Sequence, residues 1–235
     1  MNILTEPTLD IPPIWKQLDL EALHGVVFVV GGVGVGKSTF ARYLFRSLRA
    51  GGRRIAFLDG DPGQSWLGPP TTLTCAFDLD AQQEAPIDIR ANLAESVRRV
   101  FIGSISPSGH MLPAVVGGAR LVQAALSDGA QVIVYDTSGL IDPQQGGLAL
   151  KLAKVELLRP ATVIGIQAGK ELEPLLTPLR RLRRMKVVTL RPSPSAQRRD
   201  LQARKSHRTR QFARYFAHAR SLALDWTRLT ESFFQ

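Results

Sequence analysis

Cysteine is almost missing from these 235 residues, with Cys75 standing alone. One thiol excludes an intramolecular disulfide framework and any multi-cysteine zinc site, and it suits a reducing compartment. Long apolar runs are missing too. Stretches such as Val26 to Val30 fall well short of the roughly 18 residues that a membrane-crossing helix needs. The N-terminus carries Glu6 and Asp10 ahead of Pro12-Pro13, unlike the basic and apolar order of a signal or transit peptide. The expectation is a cytoplasmic protein with no membrane partner. No repeat, low-complexity tract or linker divides the chain, so a single domain over 1–235 is expected, with 1–24 irregular. At 44% apolar and 21% charged residues, the chain has material for a packed core and is no disordered tail.

Positive charge is unevenly spread. Arg180 to Arg220 holds 14 Lys or Arg against one acid, Asp200, so the net charge of +10 belongs to that segment. Such a stretch attracts nucleic acid, nucleotide phosphates or anionic lipid. An arginine-rich solvated helix, in a chain with 23 Arg and 7 Lys, fits the charge equally well.

Short β-branched runs alternate with helical patterns. His24 to Val30 predicts a buried strand ending in glycines, followed by a helix from Ser38 to about Arg49 that Gly51-Gly52 stops. Arg54 to Leu58 is a second run, closed by acids and the turn Asp61-Pro62-Gly63. Further strands are expected at Val97 to Ile102, Gln131 to Tyr135, Thr162 to Ile166 and Lys186 to Leu190, with helices near 112–127, 144–158 and 170–184. This is an α/β pattern, a mostly parallel sheet with helices on both faces. Ser193 to Ala219 predicts a long polar helix with a Pro-Ser-Pro start, and Cys75 an ordinary buried residue of an apolar strand.

Gly31 to Ser38 fits G-x-x-x-x-G-K-[ST], placed between a buried strand and a helix. Gly32, Gly34, Val35, Gly36, Lys37, Ser38 and Thr39 are therefore the expected nucleotide-binding residues of a P-loop NTPase. Glycines let several N–H groups turn toward phosphates, Lys37 neutralises β/γ oxygens, and the Ser38 hydroxyl ligates magnesium. A nicotinamide-binding loop wants G-x-G-x-x-G without the Lys-Ser pair.

Such a site also needs a carboxylate at a neighbouring strand end. Asp59 and Asp61, two apart in Asp59-Gly60-Asp61-Pro62-Gly63-Gln64, tend to point the same way at the sheet edge. Asp136-Thr137-Ser138-Gly139 follows an apolar run and has the D-x-x-G spacing with which GTPases sense a γ-phosphate, whereas a guanine-reading N-K-x-D motif is absent. Asp59 and Asp136, with Ser38, are the expected metal ligands.

Four motifs together resemble the Clp/Grc-type polynucleotide 5′-hydroxyl kinases of RNA processing and their shorter prokaryotic relatives. They are the P-loop, the D-x-D-x-G-Q turn at 59–64, the clasp-like Phe101 to Gly109 with Ser106-Pro107, and an arginine-rich segment. The last holds Arg198-Arg199, Arg204, Arg208 and Tyr215-Phe216, and is similar to the lid helix that closes over the triphosphate in that family. The chain departs from the family at Asp136 and Leu140, where Asn and Trp are usual, and by one additional residue between Pro107 and Gly109.

The resemblance implies transfer of the γ-phosphate of ATP or GTP, with magnesium, to the 5′-hydroxyl end of RNA or DNA. It implies Asp61 as base, Gln64 as an orienting group, and Ser106, Pro107, Ser108, Gly109 and Thr137 as substrate contacts. Lys37, Arg204 and Arg208 would absorb the charge of the transferred group. At roughly 100° per residue, Arg204 and Arg208 share a face with Leu201 and Phe212, opposite Arg199, Arg210 and Arg214. Trp66 either stacks on a base or packs under its own turn, and His110 reads as a surface residue. A P-loop GTPase or ATPase switch with a basic partner-docking helix is the alternative; a small-molecule kinase needs less positive charge than this. No protein partner is identifiable.

Overall fold

The computed structural model describes residues 11–77, 97–198 and 200–223. Its first strand, β1 (Gly25–Gly31), is apolar on both faces because both faces are covered. Helix α2 (Lys37–Ala50) returns over one face, burying Phe40, Ala41, Leu44, Phe45 and Leu48 at helical spacing. The chain then forms β2 (Ile55–Gly60), β3 (Thr72–Phe77), β4 (Val97–Phe101), α3 (Met111–Ser127), β5 (Val132–Thr137) and α4 (Gly147–Leu158). It continues through β6 (Thr162–Ile166), α5 (Glu173–Arg180), β7 (Lys186–Leu190) and α6 (Leu201–Tyr215). A single turn, α1 (Pro13–Lys16), precedes them inside the stretch expected to be irregular, started by proline and held by fully buried Trp15.

The seven strands run in the order β4-β3-β2-β5-β1-β6-β7. Only β3 is antiparallel to its neighbours, so the expected mostly parallel sheet is found. One apolar layer joins this sheet to α3, α4 and α5, and the other joins it to α1 and α2. The crossovers leave β1 toward β2 on one side and β5 toward β6 on the other. That reversal opens a crevice at the carboxyl ends of the strands, where α/β sheets bind ligands.

Two helices are shorter than periodicity suggests. Helix α5 begins beside Pro174, and its end is held by Glu173 reaching Arg180 at 2.6 Å. In the basic segment, the Asp200 side chain accepts from the Ala203 N–H at 2.7 Å and caps α6. The preceding 193–198 stretch is instead a turn, in which Ser193 Oγ accepts from the Ser195 N–H. No helix among the described residues is long and apolar enough to cross a membrane.

Candidate active site

Between β1 and α2 the chain curls through Gly34 at φ 82° and Gly36 at φ 85°, conformations open to glycine. A side chain at 34 would also strike the Arg198 Cα at 2.7 Å, so the 193–198 turn lies on the loop. Lys37 Nζ reaches back to donate to the Gly32 carbonyl at 2.9 Å. Burial lowers its pKa, opposed by the Asp136 and Asp61 carboxylates. Gly32, Gly34, Gly36, Lys37, Ser38 and Thr39 line a cleft of about 1070 Å³, while Val35 packs into the core beneath.

The two acids of the 59–64 turn are separated by their surroundings. Asp59 is buried, and its Oδ2 accepts from Ser65 Oγ at 2.9 Å, the Trp66 N–H at 2.6 Å and the Leu67 N–H at 2.9 Å. Burial and the nearby Asp136 carboxylate push Asp59 up to about 7, against these three hydrogen bonds. Expected as a metal ligand, Asp59 does not line the cleft; its lone pairs hold the 65–67 loop. Asp61 does line it. Asp61 Oδ1 accepts from the Gly63 and Gln64 N–H groups at 2.8 and 3.0 Å, an Asx turn that fixes the carboxylate. Gln64 also lines the cleft, its amide donating to the Gly63 carbonyl. Trp66 lines the cleft while packing edge-on against Phe57, with Arg42 above its ring, which makes it chiefly a packed residue.

At the end of β5, Asp136 is buried and, like Asp59, does not line the cleft, but it lies near Ser38 and Lys37. Burial raises its pKa, and Lys37 and Ser38 oppose the rise. Its Oδ1 is a buried acceptor without a hydrogen-bond partner among the described residues. Thr137, expected to touch substrate, turns inward instead: its hydroxyl donates to the Val29 carbonyl at 2.8 Å and ties β5 to β1. Ser138 and Gly139 line the cleft, and Gly139 lies so close to Val33 that a side chain there would collide.

Behind this segment are two lysines that sequence reasoning missed. Lys151 and Lys154 of α4 are fully buried. Lys151 Nζ donates to the Ser138 carbonyl at 2.7 Å and to Ser138 Oγ at 3.1 Å. Lys154 Nζ donates to the Tyr135 hydroxyl at 2.7 Å. Burial, then Lys154 and Lys37, push Lys151 well below its ordinary range, and burial takes Lys154 down to about 7. The only signal in the sequence is their three-residue spacing within a helix that is otherwise apolar but for Glu156.

The clasp-like loop follows β4. Ser106 and Pro107 line the cleft; Ser108 and Gly109, expected beside them, do not. The Ser108 N–H instead donates to Ser106 Oγ, and Gly109, at φ 75°, has open space around its Cα. The loop is joined to the acidic turn at two points. Gly63 packs directly on the Ile105 carbonyl, leaving no room for a Cβ. Thr71, at φ 74°, donates its N–H to the Pro62 carbonyl, and its own carbonyl accepts from Ile102. A β-branched residue held there costs on the order of 1–3 kcal/mol, which its surroundings must offset.

Helix α6 turns Arg204 and Arg208 into the cleft, as its periodicity predicts. Leu201, placed on the same face, is 82% exposed because it opens the helix. Arg210 is exposed and Arg214 half-buried, while Arg199 lies outside the described residues. The helix is docked by other residues. His207 Nε2 lies 2.9 Å from the Ser65 carbonyl, and Gln211, the one buried residue of α6, donates to the same carbonyl at 3.4 Å. His110 is exposed, and Cys75 is buried in β3.

Comparison with known proteins bears on this geometry. Residues 31–218 match the family described as mRNA cleavage and polyadenylation factor CLP1 P-loop. A polyribonucleotide 5′-hydroxyl-kinase of Pyrococcus abyssi is 29% identical over 196 residues, covering 83% of this chain and 51% of the relative. One of Thermococcus kodakarensis is 32% identical over 190 residues, covering 81% and 51%. The chain thus spans about half the length of these relatives. In fold it is similar to a chain of the wild-type Clp1p–Pcf11p complex, with a TM-score of 0.63 at 18% identity, covering 85% of this chain and 50% of the other.

Proposed function

Since the chain belongs to the mRNA cleavage and polyadenylation factor CLP1 P-loop family, we propose that it is a polynucleotide 5′-hydroxyl kinase that moves the γ-phosphate of ATP or GTP to a 5′-hydroxyl end of RNA or DNA. One observation carries this reading. A single cleft gathers Lys37 and Ser38, Asp61 and Gln64, Ser106 and Pro107, and Arg204 and Arg208. The names of the relatives, polyribonucleotide 5′-hydroxyl-kinases, support the same chemistry. The described elements act as one kinase domain in this reading, with α6 as its lid.

Phosphoryl transfer needs an acceptor oxygen in line with the γ-phosphorus and cations around a loose transition state. The 5′-oxygen forms its bond to phosphorus as the bond to the β,γ-bridging oxygen breaks. Asp61, held by its Asx turn, orients the hydroxyl and takes its proton, with Gln64 beside it. Ser106 and Pro107 contact the polynucleotide end. Lys37, released from the Gly32 carbonyl, and Arg204 and Arg208 meet the negative oxygens. The Ser38 hydroxyl and the unpartnered Asp136 Oδ1 suit a hard, hydrated dication such as magnesium. When bound, that ion neutralises phosphate charge. Asp59 and Thr137 serve the scaffold in this reading.

The test is transfer of γ-labelled phosphate from ATP or GTP to 5′-hydroxyl RNA and DNA oligonucleotides. Oligonucleotides already 5′-phosphorylated and the Lys37→Ala variant are the controls. Label on the 5′-hydroxyl oligomers alone is the expected result. Phosphate released to solution with no labelled oligomer would overturn the kinase and favour an NTPase switch with α6 as a docking surface.

A further inference from the structure

Lys151 is a buried lysine for which the reaction above has no use. Its Nζ crosses from α4 to the end of β5, and both of its hydrogen bonds go to Ser138. No salt bridge among the described residues includes it. Burial, and after it the neighbouring Lys154 and Lys37, disfavour its charged form. An anion bound nearby would favour the charged form, so the group is placed to answer such a ligand.

The geometry of Ser138 indicates which one. Its Oγ accepts from Lys151, so its own proton must be donated elsewhere, and the residue lines the cleft. Gly139 rests on Val33 of the phosphate-binding loop. A hydroxyl whose oxygen already accepts from Lys151, and which is held against that loop, is placed to donate to an anion, and such an anion in turn favours the charged form of Lys151. We propose that Ser138 is a contact for the terminal phosphate of a bound nucleoside triphosphate and that Lys151 is its positioning residue, so that the pair distinguishes a triphosphate from a diphosphate. The proposal rests on the cleft being a nucleotide site, and it is independent of the acceptor.

The experiment is equilibrium binding of ADP and a non-hydrolysable ATP analogue to the wild type and to Lys151→Met, Ser138→Ala and Lys154→Met. In Lys151→Met the analogue is expected to lose about ten-fold in affinity while ADP stays within about two-fold, the scale of a charge-assisted hydrogen bond. Ser138→Ala is expected to lose about three-fold or more in the same direction. Lys154→Met, equally buried but bound to Tyr135, should keep the wild-type ratio even if less stable, which separates positioning from packing. An unchanged ratio in Lys151→Met and Ser138→Ala, or an equal fall in Lys154→Met, would overturn the proposal. So would a wild type that does not prefer the triphosphate. If Lys151→Met does not fold, Ser138→Ala decides alone. A wild type that phosphorylates no oligonucleotide, yet loses its triphosphate preference in these variants, would remove the kinase reading and leave this one standing.

Discussion

The phosphate-binding loop and the acidic turn are walls of one cleft, but contacts of different reach hold them. The loop is a local object: its curl comes from glycines within 31–36, and Lys37 closes on Gly32, five residues back. The acidic turn is composite. Asp59 gathers the donors of 65–67 from beneath, Thr71 links Pro62 to Ile102, Gly63 rests on Ile105, and His207 and Gln211 meet the Ser65 carbonyl from α6. Changes in the first wall should therefore remove chemistry one residue at a time. Changes in the second should spread from turn to clasp to lid.

Two substitutions test the chemical side of this contrast. Lys37→Ala is expected to lower transfer by about 10³-fold or more, because the cation is used most in the transition state. Asp61→Asn is expected to lower it by about 10²–10⁴-fold, the usual range for a general base, while ADP binding persists. Labelled-phosphate transfer measured beside ADP binding separates the two, and wild-type turnover in Asp61→Asn would remove Asp61 as the base.

Asp59→Ala is the matching break in the composite wall. It strands the Ser65 hydroxyl and the N–H groups of Trp66 and Leu67, an effect of about 1–3 kcal/mol on unfolding by denaturant. Because the loop it holds also receives α6, the variant should further raise KM for the nucleotide. The magnesium concentration needed for half-maximal activity should not change. A rise in that requirement with normal stability would restore Asp59 as a metal ligand.

The same difference in reach decides what could be read from the sequence. The P-loop, the strands from β1 to β7 and the inward face of α6 follow from spacing along the chain, and spacing is what a sequence displays. Asp59 and Asp61 look equivalent by spacing; what separates them is three donors at 65–67, a property of the folded loop. The inward turn of the Thr137 hydroxyl is hidden from the sequence for the same reason, its partner being Val29, 108 residues away. Lys151 and Lys154 do not stand out in the sequence because a lysine in a helix is usually solvated, and only packing against β5 shows otherwise.

The smallest effect concerns those lysines and needs no substrate. The Lys154 ammonium titrates near 7 in the fold and near its ordinary 10.5 when unfolded. Between those values the unfolded chain binds the extra proton, so the fold gains stability as pH rises from about 7 toward 10 and loses it as pH falls. Lys154→Met removes this term. Its denaturation midpoint should therefore vary less with pH than that of the wild type across the window, the remaining slope coming from Lys151 and Lys37, which burial shifts in the same direction. A variant with the full wild-type slope would mean that Lys154 keeps its proton in the fold, and that the Tyr135 hydroxyl and ring suffice to hold a buried cation.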